Sequence, residues 1–339
     1  MDKETAEPQK LADFPSKEVV LGGYPLKIYG IAPDDQYFTS IQSNYEDEFC
    51  ELAVRLIPPD YVCLDVGANL GIKSLFLSRH CPLGRVVAIE PAPMVARCLE
   101  ANVVANHAEN VLIEQTAVGE MIGTVRFEEA SAWSRVSENG VEIPITTLEE
   151  IVERLALPRV DFIKIDVEGS ELSAMRSSLG MINRFESLVL VELNALTQLC
   201  VTNTNPRDFI DWILASFTHV FALRKAGFEG NLLEPISKKE AIALLFRNMI
   251  RDGCVTDLLV TNSERRLAPT AAHLEQQLKA SESRYAGLRA ELSAAKAELS
   301  AANAELTSIR SKLESLQKSA SWNVTAPFRW LRDNLPIGK

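Results

Sequence analysis

The segment Val62-Cys63-Leu64-Asp65-Val66-Gly67-Ala68-Asn69-Leu70-Gly71 indicates the fold class of this chain. In it an apolar run stops at an acid, turns at glycines and continues into a helix-compatible stretch. A second apolar run, Val86-Val87-Ala88-Ile89-Glu90, follows about twenty residues after the first acid and ends on its own acid. Such strand–turn–helix units predict a doubly wound α/β sheet that holds a nucleoside-bearing ligand at the carboxyl ends of its first two strands.

The polar residues of these two turns suggest which ligand is held. Gly67 permits a sharp turn, and Gly71 lets the following helix approach the strand. A carboxylate at Asp65 suits the amino-acid end of S-adenosylmethionine, and Asn69 stands where an NAD site prefers glycine. Glu90 is placed to accept hydrogen bonds from two ribose hydroxyls. The set favours S-adenosylmethionine over NAD, with an ordinary strand–helix turn and a surface glutamate as the alternatives.

Alternating strand and helix patterns continue along the chain. Helices of 10–13 residues between strands require parallel crossovers, so we expect a Rossmann-like (class I) core: a seven-stranded, mostly parallel sheet with helices on both faces. A short hairpin is expected at 19–29, and another pairs 124–127 with 143–145. The seven predicted strands are 61–66, 86–90, 111–115, 160–167, 188–193, 219–223 and 257–260.

A second polar cluster lies in the fourth predicted strand. Alternation places Lys164, Asp166 and Glu168 on one side of a strand, and the residues between them are apolar. Charges in a central parallel strand are costly unless they are paired or used. Asp166 or Glu168 could take a proton from a methyl acceptor or hold a divalent cation, and Lys164 could pair with either. A purely structural Lys164–Asp166 pair is the alternative.

From about Tyr45 to Asn194 the sequence resembles the FkbM family of S-adenosylmethionine-dependent methyltransferases. The resemblance rests on several motifs in order. These are Tyr45-Glu46, Leu64-Asp65-Val66-Gly67-Ala68-Asn69-Leu70-Gly71, Glu90-Pro91, Ala117-Val118-Gly119, Thr147-Leu148, Lys164-Ile165-Asp166-Val167-Glu168-Gly169 and Val191-Glu192-Leu193-Asn194.

The resemblance implies methyl transfer from S-adenosylmethionine, usually to a hydroxyl of a sugar or a secondary metabolite. It adds Ala117 to the cofactor-binding residues and leaves the base open among Asp166, Glu168 and water, with Lys164 as their partner; no metal-binding residue is assigned. We therefore expect O-methylation of a sugar hydroxyl in cell-surface glycan or related biosynthesis. An NAD-dependent oxidoreductase and a non-catalytic scaffold with a vestigial methyltransferase domain are the alternatives.

The chain changes character at about residue 271. Over 271–318 apolar residues alternate at steps of four and three through six heptads, which predicts a coiled coil and hence a homo-oligomer. The repeat does not distinguish a dimer from a trimer, and a single solvated helix is the alternative. The repeating positions are Leu274, Leu278, Ser281, Tyr285, Leu288, Leu292, Ala295, Leu299, Ala302, Leu306, Ile309, Leu313 and Leu316.

Charged positions beside this repeat also favour self-pairing. Glu291 with Lys296, and Glu305 with Arg310, stand five residues apart, the offset that joins neighbouring parallel helices. Arg284 with Arg289 departs from this rule.

The ends of the chain and its composition suggest further partners. Residues 1–15 are expected to be flexible, 16–263 to form the methyltransferase domain with its N-terminal hairpin, and 319–339 an aromatic-basic tail. The tail is similar to the endings of bacterial surface-polysaccharide enzymes, and it suits a membrane surface or a glycosyltransferase.

Charge and cysteine content further limit the kinds of substrate and compartment that suit this protein. Residues up to Ser263 carry a net charge of −15 against +4 for the remainder, which argues against nucleic acid as the main substrate. Six scattered cysteines indicate a reducing compartment rather than a disulfide framework. We expect a cytoplasmic protein that acts on a glycan or small-molecule acceptor, with peripheral contact at the inner membrane surface as an option.

Overall fold

The computed structural model describes most of the chain in two compact units, one ending at His273 and one beginning at Leu274. The predicted flexible start lies outside the described residues, except for its last two positions. Much of the predicted tail also lies outside them. The described residues are 14–43, 45–128, 135–136, 140–224, 232–318, 324–325 and 327–330.

The secondary structure of the first unit alternates strands with helices, as the apolar patterns predict. Its strands are β1 (Ser16–Leu21), β2 (Tyr24–Tyr29), β3 (Val62–Val66), β4 (Arg85–Ile89), β5 (Val111–Glu114), β6 (Ala117–Val118), β7 (Gly123–Glu128), β8 (Arg135–Val136), β9 (Val141–Thr146), β10 (Phe162–Ile165), β11 (Leu188–Asn194), β12 (His219–Leu223), β13 (Leu233–Pro235) and β14 (Val255–Thr261). Its helices are α1 (Gln36–Ser40), α2 (Asp47–Leu56), α3 (Ile72–His80), α4 (Pro93–Ala105), α5 (Leu148–Arg154), α6 (Glu171–Phe185), α7 (Ala195–Cys200), α8 (Pro206–Ser216) and α9 (Ala241–Ile250).

The main sheet has the strand order β13-β12-β14-β11-β10-β3-β4-β5. Strands β3, β4, β5, β10 and β11 are parallel neighbours, and β14 inserts antiparallel between β11 and β12. The described sheet therefore has one strand more than the seven expected. The additional strand, β13, has only three residues, ends in proline and pairs antiparallel to β12 at the edge. It is too short for an alternation pattern to reveal it.

Helices cover both faces of this sheet, which confirms the predicted three layers. Alternate residues of β3 point into different cores: Cys63 packs in one hydrophobic cluster, and Leu64 in the other. The first cluster includes residues of α3 and α4, and the second includes residues of α5, α6 and α8. Because both faces are covered, the central strands are apolar on both sides, and the acids that end them stand out in the sequence.

The predicted N-terminal hairpin forms from β1 and β2 and is fastened to α4 by asparagine side chains. Asn102 is fully buried; its Oδ1 accepts a hydrogen bond from the Tyr29 amide at 2.6 Å, and its Nδ2 donates to the Leu70 carbonyl at 2.8 Å. Asn106 likewise bonds both backbone groups of Lys27. The hairpin is thereby tied to the turn that follows β3.

The second predicted hairpin belongs to a small sheet with the order β6-β9-β7-β8. Strands β7 and β9 pair antiparallel, and β6 joins β9 in parallel. Helix α5 is capped at its start, where the Thr147 hydroxyl accepts a hydrogen bond from the Glu150 amide. This small sheet brings Ala117 to the edge where the main strands end.

Most of the described part of the second unit belongs to the long helix α10 (Ala271–Lys318), whose first three residues are in the first unit. The repeating apolar side chains predicted for a coiled coil are exposed along it, from Leu274 to Leu316. Of the tail, Phe328 and Trp330 are described and are exposed, whereas Trp322 and Arg332 lie outside the described residues. Within the described part of the chain, no helix combines the length and the apolarity that a membrane span requires.

Candidate active site

The turn after β3 is sharp, as its glycines predicted, and each glycine has both a left-handed backbone and a close neighbour. Gly67 has φ +79°, and a Cβ atom at this position would lie 1.7 Å from the carbonyl oxygen of Asp166. Gly71 has φ +84°, and a Cβ there would lie 2.3 Å from a methyl carbon of Leu99 on α4. Both positions therefore combine a left-handed backbone with a close neighbour, so that only glycine fits them.

Asn69 and Glu90 join the two turns of the site. Asn69 also has a left-handed backbone (φ +51°), which asparagine tolerates better than most residues. Its amide donates to Glu90 Oε2 at 2.9 Å, and the Ala92 amide donates to Oε1 at the same distance. Backbone bonds thus fix the nearly buried Glu90 carboxylate. Its two oxygens are hydrogen-bond acceptors of the kind that ribose hydroxyls require.

The side chain of Asp65 lies in the interior of the site. It is almost completely buried, and its Oδ2 accepts a hydrogen bond from the Ser74 hydroxyl at 2.5 Å. Burial raises the pKa of Asp65, while the Ser74 hydrogen bond and the charge of Lys164 act in the opposite direction. A cationic ligand group beside Asp65 would offset the burial and favour the ionised carboxylate.

A single cavity joins the predicted cofactor residues to the predicted catalytic ones. Its volume is about 620 Å³, within the usual range for small-molecule sites. Asp65, Gly67, Asn69, Glu90 and Ala117 line it. Gly71 does not line it and acts through the turn instead. Among the described residues, nine acidic and five basic side chains line this cavity, so a ligand with cationic groups fits it electrostatically.

Lys164 lies at the centre of this charge distribution. It is 1% exposed in β10, beside Asp65 of β3 in the sheet register, and its Nζ lies 2.9 Å from Asp166 Oδ2. Burial alone would lower the pKa of Lys164, but the charge of Asp166 raises it. Conversely, burial would raise the pKa of Asp166, and Lys164 holds it below its usual value. The predicted Lys164–Asp166 pair is therefore present and charged.

The prediction that Asp166 and Glu168 continue the strand is wrong. Strand β10 ends at Ile165, and Glu168 lies in the following turn with a left-handed backbone (φ +51°). Helix α6 begins only three residues later, so the chain must leave the sheet here. Burial, together with the nearby charge of Asp166, raises the pKa of Glu168 to about 8. Glu168 therefore lines the cavity as a largely protonated acid at neutral pH.

Two further acids adjoin Asp166, and the sequence analysis gave neither a role. Glu192 is in β11, and burial raises its pKa well above the usual value, as does the charge of Asp166. Glu171 at the start of α6 is fully buried, and its Oε1 accepts hydrogen bonds from the Val167 and Gly169 amides. One oxygen each of Asp166, Glu171 and Glu192 lie within 4.8 Å of one another. In the described part of the chain, this set could hold a metal ion.

Lys73 and Glu46 are two further charged residues that line the cavity. The sequence patterns did not indicate Lys73. Its Nζ lies 2.6 Å from Glu46 Oε1. Burial would lower the pKa of Lys73, but Glu46 raises it well above the usual value. A lysine among the apolar residues of α3 was the available signal. Other cavity-lining residues to which the sequence analysis gave no role are Tyr37, Arg224, Arg247, Arg251 and Asp257.

These residues fit S-adenosylmethionine, whose presence the sequence predicted. The Glu90 carboxylate is fixed at the end of β4 with acceptor capacity for a ribose, and Asp65 is fixed one strand away with a pKa that a cation would lower. The acidic surplus of the lining matches the ammonium and sulfonium groups. The lining therefore agrees with this cofactor in its hydrogen-bond acceptors and in its charge.

Comparisons with known proteins agree with this geometry. Residues 65–230 match the family model described as Methyltransferase FkbM domain. The hexuronic acid methyltransferase AglP of Haloferax volcanii is 29% identical over 44% of this chain and 63% of its own length. The methyltransferase sdnD of Sordaria araneosa is 24% identical over 35% of this chain and 61% of its own length. The chain thus spans about three fifths of the curated methyltransferases it matches.

Among solved structures, the methyltransferase FkbM of Methylobacillus flagellatus aligns with a TM-score of 0.37. It is 16% identical over 60% of this chain and 44% of its own. The family match begins at Asp65 and spans Gly67, Glu90, Ala117 and the β10 turn, which are the residues that converge on the cavity. Residues 65–230 of this chain are thus similar to the methyltransferase FkbM domain, the family that the sequence motifs resemble.

Proposed function

We propose that this protein transfers the methyl group of S-adenosylmethionine to a hydroxyl oxygen of an acceptor. One observation carries the proposal: the fixed Glu90 and Asp65 carboxylates share a cavity with Glu168, an acid whose pKa of about 8 suits proton transfer. The same cavity thus contains residues for holding the methyl donor and a residue for activating the acceptor.

The binding roles follow from the fixed groups. Glu90 accepts the ribose hydroxyls, and the backbone bonds to Asn69 and Ala92 keep its carboxylate in place. Asp65 faces the cationic amino-acid end. Bound S-adenosylmethionine supplies a methyl group on a positively charged sulfur that leaves as a neutral thioether. The protein's task is then to position the acceptor and exclude water.

Glu168 is the residue we assign as the base. Asp166 is a poor base because Lys164 keeps its pKa low, whereas Glu168 has an affinity for protons close to that needed at neutral pH. In its ionised form Glu168 takes up the proton of the acceptor hydroxyl as the oxygen forms its bond to carbon. The Lys164–Asp166 pair keeps the local charge fixed during this transfer.

The assignment predicts a pH profile. Because only ionised Glu168 can accept a proton, kcat/KM should rise with pH and reach half of its maximum near pH 8, the value to which burial raises the pKa of Glu168, before it levels off at higher pH. Glu168→Gln should remove this limb and lower kcat by about 10²–10⁴-fold. Glu153→Gln, on the exposed face of α5, is the control and should keep the profile. A limb that survives in Glu168→Gln would exclude Glu168 as the base.

The acceptor we propose is a sugar hydroxyl of a cell-surface glycan. The name of the relative AglP, a hexuronic acid methyltransferase, supports a sugar acceptor. The test is transfer of tritiated methyl from S-adenosylmethionine to a panel of sugars, nucleotide sugars and small hydroxylated metabolites, with Glu168→Gln as the blank. Label in a sugar ether supports the proposal. Label found only in the small metabolites would show that the acceptor is a metabolite and not a sugar. If cofactor binds but no label is transferred, the result would favour a non-catalytic scaffold.

We also propose that α10 joins copies of this chain. Its apolar repeat is exposed from Leu274 to Leu316, and the charges at Glu291 and Lys296 and at Glu305 and Arg310 are complementary between parallel copies. A second copy is therefore the partner that satisfies both the apolar stripe and its charged borders.

Substitutions along α10 test this pairing. Leu292→Glu combined with Leu299→Glu should convert an oligomer into a monomer, because charges inside a coiled-coil seam lose apolar burial and repel each other. Ala290→Glu with Ala297→Glu, at positions off the stripe, is the matched control and should leave the oligomer intact. Sedimentation equilibrium measures the mass of each. A wild-type monomer, or equal dissociation of both variants, would contradict the pairing.

A further inference from the structure

Three arginine residues line the cavity but belong to none of the methyltransferase motifs. Arg224 directly follows β12, Arg247 lies on α9, and Arg251 follows that helix. Strand β12 runs in the same direction as β11, and β14 runs opposite to it. The end of β12 and the segment between α9 and β14 therefore both reach the edge where the cofactor strands end.

Glu234 of β13 holds two of these guanidinium groups side by side. Its Oε2 lies 2.7 Å from Arg247 Nη1 and 3.3 Å from Arg224 Nε. Glu234 is not among the residues that line the cavity, whereas both arginines are. The carboxylate therefore positions the two guanidinium groups and does not itself line the cavity.

This cluster carries a net positive charge. Arg247 also lies near Asp252, with Nε 3.5 Å from Oδ2. The three arginines and the carboxylates of Glu234 and Asp252 together sum to a positive charge, and only Asp252 of these two acids lines the cavity. The other eight acidic residues of the lining outnumber its two lysines, so this arginine cluster supplies the larger part of the positive charge in the cavity.

This division of charge would orient an acceptor. An anionic group is repelled by the acidic strand ends and attracted by a preorganised guanidinium pair, which binds carboxylate or phosphate with two parallel hydrogen bonds. We propose that Arg224 and Arg247 bind an anionic group of the methyl acceptor, a carboxylate or a phosphate, and so direct its hydroxyl toward Glu168. This inference rests on the proposed function and names the substrate class of the same site.

The test measures ligand binding to protein saturated with S-adenosylhomocysteine, so that cofactor binding is scored first. The probes are methyl β-D-glucuronide, methyl β-D-glucoside and inorganic phosphate. The binding of each probe is measured by the broadening of its own NMR signals when protein is added. We expect broadening of an anionic probe at least tenfold stronger than that of the neutral glucoside, and its loss in Arg224→Gln and Arg247→Gln. Broadening by the glucuronide, by phosphate or by both tells which anion the site takes.

Two further variants separate recognition from folding. Arg207→Gln removes an arginine that pairs with Asp211 on the surface of α8, and it should bind the anions as the wild type does. Arg247→Lys keeps the charge but not the fork, and it should retain part of the binding. Normal S-adenosylhomocysteine binding with equal or absent broadening by charged and neutral probes would overturn this inference alone. Broadening that persists in both glutamine variants would do the same, whereas failure to bind S-adenosylhomocysteine would count against the proposed function itself.

Discussion

Gly67→Ala is expected to abolish S-adenosylhomocysteine binding and to lower the free energy of unfolding by at least about 3 kcal/mol. Two costs add at this position. The left-handed backbone (φ +79°) disfavours any residue with a Cβ, and the new methyl would lie 1.7 Å from the backbone oxygen of Asp166. Since a backbone atom cannot swing away as a side chain can, β3 and the turn after β10 would have to separate.

Gly23→Ala is the matched control for this substitution. Gly23 in the N-terminal hairpin has a similar backbone (φ +87°), but no atom lies within 4 Å of the place that the alanine methyl would take. This variant should lose only the conformational part, about 1 kcal/mol, and bind S-adenosylhomocysteine normally. Chemical denaturation and calorimetry compare the two. Equal losses of stability in both variants would show that the close approach of the two strand ends has no energetic weight.

Lys164→Met is the second substitution expected to have a large effect, about 3–5 kcal/mol in the free energy of unfolding. Lys164 is buried between β3 and β11, and its charge offsets Asp166 and opposes the raised pKa values of Asp65 and Glu192. Its removal leaves several carboxylates in the interior, and Lys73 is then the lysine that acts on Asp65 and Asp166. Asp166→Asn should cost less than half as much, because other acids remain near Lys164.

The pH dependence of this variant follows from the same charges. Carboxyls whose pKa is raised in the folded protein contribute stability that is present at low pH and lost as the pH rises. Without Lys164 these pKa values rise further, so the deficit of Lys164→Met should grow from acidic to neutral pH. Chemical denaturation across this pH range measures the free energy of unfolding of each variant. Arg207→Met, on the surface, is the control and is expected to show no measurable change. A larger loss for Asp166→Asn than for Lys164→Met would contradict the charge distribution.

The parts of the fold that the sequence predicted are those where one physical requirement dominates. Strands β3 and β4 were placed to within one residue because a doubly covered parallel strand must be apolar throughout and can end on an acid. The turn residues Gly67 and Asn69 were identified because a left-handed backbone restricts the choice of residue.

The parts that were missed depend on where pairing stops and on long-range neighbours. Alternation continued through Glu168 in the sequence, but the hydrogen-bonded register of β10 ends at Ile165, and no local pattern marks that point. Arg224, Glu234 and Arg247 come from three separate elements. They meet only because β14 inserts antiparallel between β11 and β12, a connection that side-chain types along the chain do not encode locally.

The central claim is that the cavity at the strand ends binds S-adenosylmethionine through Glu90 and Asp65. Calorimetric titration of the full chain with S-adenosylhomocysteine and, separately, with NAD tests it most directly. We predict one S-adenosylhomocysteine bound per chain, no binding of NAD, and affinity at least about tenfold weaker in Glu90→Gln, since an amide replaces a charged acceptor of two ribose hydrogen bonds. Binding of NAD in place of S-adenosylhomocysteine, or an unchanged affinity in Glu90→Gln, would contradict the claim.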